Sequence, residues 1–288
     1  MAVVLVTGGA GMLGTDLCNY LTMCGHIVYA PTINEMNICK KDEIEKVIDA
    51  VNPKWVINCA AHTKVDIANH EERELHKKVN YEAVRKLVGV CNKFSTTLVQ
   101  ISTDYVFSLP QNQIANEETE VSPANDYGYW KAEAEKYIRE CSQRYKIVRT
   151  SWLYGHHGKN FVETIINLLD SKTCFKVVND QHGCPTWTVY LCNKLLEILS
   201  YYPSDETYHV CGDGVTTWYE FAKKIEMYLG YGKKIVPCDS EDYKTLSPRP
   251  KNSAMISTKF ENEHWTTQLI SYLESRRNGI ERYHFSWR

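Results

Sequence analysis

The sequence lacks long hydrophobic runs, a charge excess and a metal-binding cysteine pattern. No stretch approaches the roughly 20 apolar residues that span a bilayer, and the N-terminal apolar run has no basic region before it. The 33 basic and 35 acidic side chains leave a formal net charge of −2 at pH 7, without the basic stripe of a nucleic-acid binder. We therefore expect a cytoplasmic protein with no membrane and no nucleic-acid partner.

The cysteines indicate neither a disulfide framework nor a zinc site. The eleven cysteines are an odd number spread along the chain, without CxxC pairs or His/Cys clusters at zinc-finger spacing. Disulfide frameworks belong to short secreted chains, whereas 288 residues build a core large enough without them. We expect reduced thiols that behave as small buried apolar side chains in a reducing compartment.

The first half of the chain alternates short apolar strands with amphipathic helices. Strands are predicted at 3–6, 27–29, 55–57, 97–101 and 146–148, and helices at 11–24, 44–51, 77–92 and 127–139. Apolar strands separated by helices indicate a parallel sheet that is covered on both faces. The pattern predicts an α/β fold, with a Rossmann-type doubly wound parallel sheet for NAD(P) over residues 1–150.

Beyond residue 150 the pattern loosens into mixed helices and short strands. Helices are predicted at 161–169, 189–200 and 218–229. We expect 151–288 to form mainly a smaller mixed α/β substrate lobe, with some segments returning to the first domain. Ligands of open α/β sheets bind at the carboxyl ends of the strands, so the lobe should pack there. The Arg- and aromatic-rich tail at 283–288 is either a docking segment or a frayed end.

A glycine-rich loop follows the first predicted strand and opens the first predicted helix. It reads Thr7-Gly8-Gly9-Ala10-Gly11-Met12-Leu13-Gly14. Glycine at positions 8 and 11 permits a tight turn and a close approach of the backbone to a diphosphate at the helix N-terminus. A strand before and a helix after are the context of a dinucleotide-binding loop, and the alternative is a structural turn.

The end of the second predicted strand bears on the choice of cofactor. It reads Ala30-Pro31-Thr32, where a carboxylate normally binds the adenosine ribose of NAD. An acid there would repel a 2′-phosphate, so its absence favours NADPH, with NADH as the alternative. Lys40 and Lys41 are candidate partners of the phosphate, or simply the solvated start of a helix.

Tyr127 and Lys131 form a YxxxK pair, one helical turn apart. A phenol of pKa near 10 is a poor acid–base catalyst at neutral pH, and a nearby ammonium should lower that pKa. Ser102, Thr103 and Asp104 end the fourth predicted strand, at the edge where ligands bind. The Thr103 hydroxyl can hydrogen-bond a substrate carbonyl or the phenol, unless these residues only form a turn.

Together these motifs resemble the extended short-chain dehydrogenase/reductase family and, within it, the dTDP-4-dehydrorhamnose reductases. The likeness continues through the segments 58–66, 149–155, 179–186, 217–222 and 249–253. It implies transfer of a hydride from NADPH to the C4 ketone of dTDP-4-dehydro-6-deoxy-L-mannose, giving dTDP-L-rhamnose in nucleotide-sugar biosynthesis. The implied partner is a nucleotide-sugar substrate, and a homodimer is the candidate assembly.

The resemblance also implies roles for individual residues. Tyr127 would donate a proton, Lys131 would bind the nicotinamide ribose and Thr103 would assist. The implied cofactor-binding residues are Gly8, Gly11, Met12, Leu13, Asn37, Ile38, Ala61, His62, Thr63, Ser102, Tyr127 and Lys131. The implied substrate-binding residues are Thr103, Asp104, Trp152 and Arg249. His62 and Trp152 can instead be packed structural residues, Arg249 can tie the lobes together by an ion pair, and Trp218 is interpreted as a core aromatic.

Two other functions stay open at this point. A bifunctional nucleotide-sugar 3,5-epimerase/4-reductase needs a further acid–base pair, commonly a Cys beside the catalytic strand, where this chain has 102–104, Ser-Thr-Asp. A regulatory subunit resembling the methionine adenosyltransferase β subunit would not need the retained YxxxK pair.

Metal chemistry has little support in the sequence. The neighbouring His156 and His157 lack a third ligand of suitable spacing. Some relatives bind Mg²⁺ through carboxylates at a dimer contact, but only Asp16 stands near a matching position. We therefore expect no metal ligands in this chain.

Overall fold

Short apolar strands build the centre of the computed structural model, which describes residues 1–67, 72–243 and 245–279. The strands are Val3–Thr7 (β1), Ile27–Tyr29 (β2), Trp55–Asn58 (β3), Thr97–Thr103 (β4), Tyr145–Thr150 (β5), Leu153–Tyr154 (β6), Cys174–Val178 (β7), His182–Gly183 (β8), Thr186–Trp187 (β9), Glu206–His209 (β10), Thr216–Thr217 (β11) and Lys234–Cys238 (β12). Six of them form one sheet in the order β10-β5-β4-β3-β1-β2, with every pair parallel. The predicted Rossmann-type α/β fold is confirmed. The segment 283–288 lies outside the described residues.

Helices cover both faces of this sheet. They are Met12–Met23 (α1), Lys41–Val51 (α2), Arg73–Lys77 (α3), Ala83–Lys93 (α4), Asp126–Cys141 (α5), Phe161–Ser171 (α6), Thr188–Tyr201 (α7), Trp218–Leu229 (α8) and Trp265–Arg277 (α9). A π-helical turn, Lys78–Glu82, joins α3 to α4, so the helix predicted at 77–92 starts earlier and contains a bulge. In the described part of the chain, no helix has the length and apolarity needed to cross a bilayer.

The two largest clusters of the core lie one on each face of the sheet, and a smaller third one surrounds Phe107. Along β1, Val4 and Val6 face the layer under α1 and α7, whereas Leu5 faces the layer under α2 and α4. This alternation follows from the pleat, which turns successive side chains to opposite faces. An apolar strand with both faces buried is typical of a parallel sheet between two helix layers.

The second half of the chain returns to the sheet at one place that the sequence pattern did not predict. β10 pairs in parallel with β5, with Tyr208 opposite Val148. Glu206 and Thr207 of this strand are only partly buried, as is typical of a sheet edge, so its apolar signal is weak. The pairs β6–β9, β7–β12 and β8–β11 form small separate sheets among α6, α8 and α9.

All eleven cysteines are free thiols, as predicted. Cys91, Cys184, Cys192, Cys211 and Cys238 are buried, and they pack as small apolar side chains. The expectation of burial is wrong for the exposed cysteines at 24, 141 and 174.

The turn from β1 into α1 predicts the effect of one added methyl group. A Cβ at Gly14 would lie 2.1 Å from the carbonyl oxygen of Gly8, so Gly14→Ala should destabilise the protein by about 1–3 kcal/mol. Gly89 lies on the exposed side of α4 with nothing within 4 Å of its Cβ position, so the control Gly89→Ala should stabilise it by about 0.5–1 kcal/mol. Urea unfolding measures both. A Gly14→Ala variant as stable as the wild type would contradict this turn.

Candidate active site

The glycine-rich loop leaves the start of α1 open for a ligand. Gly8 has φ 68°, a left-handed conformation that glycine adopts without strain, and a Cβ there would lie 2.7 Å from the backbone nitrogen of Ala60. Gly11 is the N-cap of α1, and none of the described side chains caps this helix. The N–H groups of the first turn and the helix dipole therefore favour an anion at this point.

This loop forms one wall of a cleft of about 530 Å³ at the carboxyl edge of the sheet. Most of the site residues predicted from the sequence line it, namely Gly8, Gly11, Met12, Leu13, Ala61, Thr63, Ser102, Thr103, Asp104, Tyr127, Lys131 and Trp152. Trp218, which we interpreted as a core residue, also lines the cleft. Residues that are distant in the sequence thus meet at the edge where open α/β sheets bind ligands.

The start of α5 places Tyr127 in the cleft. The Asn125 side chain caps this helix by accepting a hydrogen bond of 2.9 Å from the Gly128 N–H, and its amide donates to the Pro248 carbonyl, also at 2.9 Å. A Cβ at Gly128 would lie 2.0 Å from the carbonyl oxygen of Tyr105. Glycine at this position therefore lets the helix approach the end of β4 closely enough for Tyr127 to meet Thr103.

The phenol of Tyr127 is less acidic than the sequence suggested. Burial raises the pKa of Tyr127 to about 12. The nearby Asp104 carboxylate also raises this pKa, whereas a hydrogen bond with Thr103 lowers it. The prediction of a lowered pKa is therefore wrong for the chain by itself, because burial outweighs the hydrogen bond with Thr103. The phenol stays protonated at neutral pH, which is the form that donates a proton.

Lys131 is a buried ammonium with a fixed acceptor. Its Nζ donates a hydrogen bond of 2.6 Å to the Ile101 carbonyl oxygen. Burial lowers the pKa of Lys131 to about 8, while the Glu135 carboxylate, one turn along α5, opposes the shift. Glu135 in turn accepts a hydrogen bond of 2.6 Å from Nη2 of Arg149 on β5, and this guanidinium holds the pKa of Glu135 below its usual value despite burial.

A chain of hydrogen bonds crosses the sheet from the glycine-rich loop to Lys131. The Thr7 hydroxyl donates to Asn58 at 2.5 Å, and the Asn58 amide donates to Gln100 at 2.8 Å. The Gln100 amide then donates to the Ile101 carbonyl at 2.7 Å, the same oxygen that holds Lys131. Sequence reasoning gave Asn58 and Gln100 no role. Their signal was a polar residue within an otherwise apolar strand, which needs a partner when it is buried.

Asp104 is a buried carboxyl group that faces the cleft. It accepts hydrogen bonds from the hydroxyls of Ser253, at 2.6 Å, and Thr103, at 3.1 Å. Burial raises its pKa to about 6, and the hydrogen bonds from Ser253, Ser151 and Thr103 oppose that shift. The carboxyl group lines the cleft, and each of its oxygens already accepts a hydrogen bond from a neighbouring hydroxyl.

Two of the implied cofactor-binding residues, Asn37 and Ile38, lie outside the cleft lining. Ile38 is buried in the core layer under α2 and α4, so its side chain is committed to packing. The Asn37 side chain accepts a hydrogen bond of 2.9 Å from the Cys39 N–H. Lys40 pairs with Glu43 at 2.8 Å, which matches the interpretation of a solvated helix start.

His62 and Arg249 also lie outside the lining. The His62 ring stacks on His76 with 4.2 Å between ring centroids and is hydrogen-bonded to Glu72. Arg249 forms an ion pair with Asp66, with 2.9 Å between Nη2 and Oδ1. This contact corresponds to the alternative in which Arg249 ties the two halves of the chain together.

The neighbouring candidate metal ligands His156 and His157 have different partners. Asp16 is buried, accepts a hydrogen bond from Thr188 and lies 3.4 Å from His157. The neighbouring His156 hydrogen-bonds Ser275 at 2.8 Å instead. Within residues 1–67, 72–243 and 245–279, no three His, Cys, Asp or Glu side chains are grouped as a metal site would require.

Several comparisons connect this chain to known proteins. Residues 1–282 match the family model described as the RmlD substrate binding domain. The spore coat polysaccharide biosynthesis protein SpsK of Bacillus subtilis is 35% identical over 288 residues, which cover 98% of this chain and 100% of that protein. A dTDP-4-dehydrorhamnose reductase of Aggregatibacter actinomycetemcomitans is 33% identical over 273 residues, covering 91% of this chain and 92% of that protein.

A solved structure shares the fold over almost the whole chain. The crystal structure of a dTDP-4-dehydrorhamnose reductase from Bacillus anthracis, in complex with NADP, superimposes with a TM-score of 0.91. It is 32% identical and covers 95% of this chain and 99% of its own.

The buried polar chain predicts a stability cost for Gln100→Leu. The substitution leaves the Asn58 amide without its acceptor, and an unsatisfied buried donor costs about 1–3 kcal/mol. The control is Gln143→Leu, an exposed glutamine, for which we expect a change within about 0.5 kcal/mol. Urea unfolding of both variants tests this. Equal stabilities would show that the Gln100 hydrogen bonds contribute nothing.

Proposed function

Because the chain belongs to the RmlD substrate binding domain family, we propose that it is an NADPH-dependent oxidoreductase that reduces dTDP-4-dehydrorhamnose to dTDP-L-rhamnose. The resemblance to dTDP-4-dehydrorhamnose reductases in the sequence motifs is confirmed by the family match and by relatives of that name. The observation that carries the proposal is the meeting of Tyr127, Thr103 and Lys131 in one cleft with the glycine-rich loop.

The loop fits the diphosphate of a dinucleotide. The first turn of α1 offers its N–H groups, and Gly8 keeps the backbone close to Ala60 without a side chain in the way. The acid nearest to the end of β2, Glu35, accepts hydrogen bonds from the N–H and hydroxyl of Thr32 at 2.8 and 2.9 Å. Its carboxylate is thus engaged within its own loop, and the feature that favours NADPH is the absence of an acid from residues 30–32. When bound, this cofactor supplies the hydride.

Tyr127 is the proton donor in this proposal. Its phenol is protonated at neutral pH, so as the hydride reaches C4 of the sugar, the phenolic proton can pass to the ketone oxygen and leave a hydroxyl group. The Thr103 hydroxyl donates a hydrogen bond to the same ketone oxygen and helps to fix its position. The Lys131 ammonium stabilises the Tyr127 phenolate until the phenolate regains a proton from solvent. Lys131 also binds the nicotinamide ribose in this proposal.

Two further side chains that line the cleft recognise the substrate in this proposal. We assign the Asp104 carboxyl to a sugar hydroxyl and the Trp152 indole to the face of the sugar ring. In the same proposal, residues 1–150 bind the cofactor and 151–288 mainly bind the nucleotide sugar, with β10 as the segment that returns to the sheet. Asn37, Ile38 and His62 can then reach the cofactor only through their backbones or after rearrangement.

The bifunctional alternative has less support. The end of β4 carries Ser102, Thr103 and Asp104 rather than a cysteine. Cys59 does line the cleft, but burial raises the pKa of its thiol, so it is not a base at neutral pH. A purely regulatory role leaves the retained Tyr127 and Lys131 without an explanation.

A product assay tests the reductase proposal. The protein is incubated with dTDP-4-dehydro-6-deoxy-D-glucose and NADPH or NADH, with and without a separate 3,5-epimerase. We expect dTDP-L-rhamnose only when the epimerase is supplied, and faster turnover with NADPH. Rhamnose formed without the epimerase would favour the bifunctional enzyme. No nucleotide-sugar turnover under either condition would overturn the proposal.

Tyr127→Phe separates chemistry from binding. Loss of the phenolic proton should lower kcat by about 10²–10⁴-fold, because the proton is needed only in the transition state. The Kd for NADPH should stay within about twofold of the wild-type value. Tyr129, half-exposed on the same helix, provides the control Tyr129→Phe, which should retain full turnover. Undiminished kcat in Tyr127→Phe would rule out this proton donor.

A further inference from the structure

We propose that Trp218 is a positioning residue for the substrate, because it holds the Trp152 indole as a fixed wall against which the C–H face of the sugar ring packs. This inference rests on the proposed function. The two indoles lie face to face at the cleft, with 3.5 Å between ring centroids and an angle of 5° between ring planes. Trp218 acts through Trp152 and is not itself assigned a contact with the sugar.

Trp152 adopts a backbone conformation that a bulky residue rarely adopts. Its φ is 46°, in the left-handed region. Such strain persists only where the surroundings hold the residue in place, as they often do at ligand sites. A Cβ at Gly183 would lie 2.3–2.6 Å from three atoms of this indole, so the glycine makes the space that the ring occupies.

The stack itself is not the arrangement that aromatic rings prefer. Indole quadrupoles favour offset or edge-to-face geometry over a full face-to-face overlap. The pair must therefore be held by other contacts, and these converge on Trp218. Its Nε1–H donates a hydrogen bond of 3.1 Å to the Gln181 side chain, and the Phe161 ring packs on it with centroids 4.5 Å apart.

The backbone of Trp218 is fixed as well. It is the first residue of α8, whose N-cap Thr217 forms a reciprocal capping box with Glu220. Trp218 is thus the anchored member of the pair, and Trp152 is the member whose position depends on it. Replacing Trp218 should leave the Trp152 indole without a fixed position, whereas the residues assigned to cofactor binding stay unchanged.

The test is the steady-state kinetics of Trp218→Leu and Trp218→Phe. For Trp218→Leu we expect the KM for the nucleotide sugar to rise roughly tenfold, because Trp152 loses the indole that stacks on it and no longer holds its position against the sugar. The kcat and the Kd for NADPH should change by less than about threefold. Trp218→Phe keeps an aromatic face and should recover part of the loss. The stacked indoles should also give an exciton couplet in the circular dichroism spectrum, which Trp218→Leu abolishes.

A second variant disturbs the Trp152 indole through a different neighbour, Gly183. Gly183→Ala displaces the Trp152 ring without removing a tryptophan, so it should raise the same KM and weaken the couplet. The control is Trp55→Phe, which replaces a tryptophan of β3 that packs beside His26. This variant should leave both the KM and the couplet unchanged.

The inference and the proposed function fail in different ways. If the wild type reduces the nucleotide sugar but Trp218→Leu and Gly183→Ala keep its KM, Trp218 has no positioning role. If the KM rises but the couplet is unchanged in Trp218→Leu, the stack is not what holds Trp152, and the inference also falls. A wild type that neither binds nor reduces any dTDP-linked 4-keto sugar removes the reductase proposal together with this inference.

Discussion

A buried ammonium needs a fixed acceptor, and in this protein the Ile101 carbonyl is that acceptor for Lys131. The same carbonyl oxygen accepts a hydrogen bond from the Gln100 amide. Gln100 accepts a hydrogen bond from Asn58, and Asn58 accepts one from Thr7 at the start of the glycine-rich loop. The donors from Thr7 to Gln100 point one way along the sheet edge, and Lys131 donates to the Ile101 oxygen from the opposite side. One continuous polar network inside an otherwise apolar fold therefore links the glycine-rich loop to α5.

Local patterns predicted the parts of this arrangement that depend on neighbours in sequence. The strand, the glycine turn and the helix that follow one another at residues 3–23 each carry their own signal, and so does the spacing of Tyr127 and Lys131 on one helical turn. The family resemblance added which of those residues share a site. The fold class and the family were correct because the motifs lie on strand ends that a parallel sheet brings to one edge.

The remaining features depend on contacts between distant segments, which periodicity does not encode. The pairing of β10 with β5, the cleft position of Trp218 and the commitment of Ile38 to the core follow only from tertiary packing. The direction of the Tyr127 pKa shift was predicted wrongly because a nearby amine was visible in the sequence, whereas the burial that raises the pKa was not. The raised pKa still agrees with the proposed reaction, because a reductase needs a protonated phenol as its proton donor.

The burial of Lys131 is the central physical claim, and its ammonium can be titrated directly. In protein labelled with ¹³C at lysine Cε, the signal that disappears in Lys131→Met identifies this residue in the NMR spectrum. Because burial disfavours the charged form, we predict that the signal titrates near pH 8 in the cofactor-free protein. Titration near the ordinary lysine value of about 10.4 would contradict the account, because Lys131 would then be a solvated side chain.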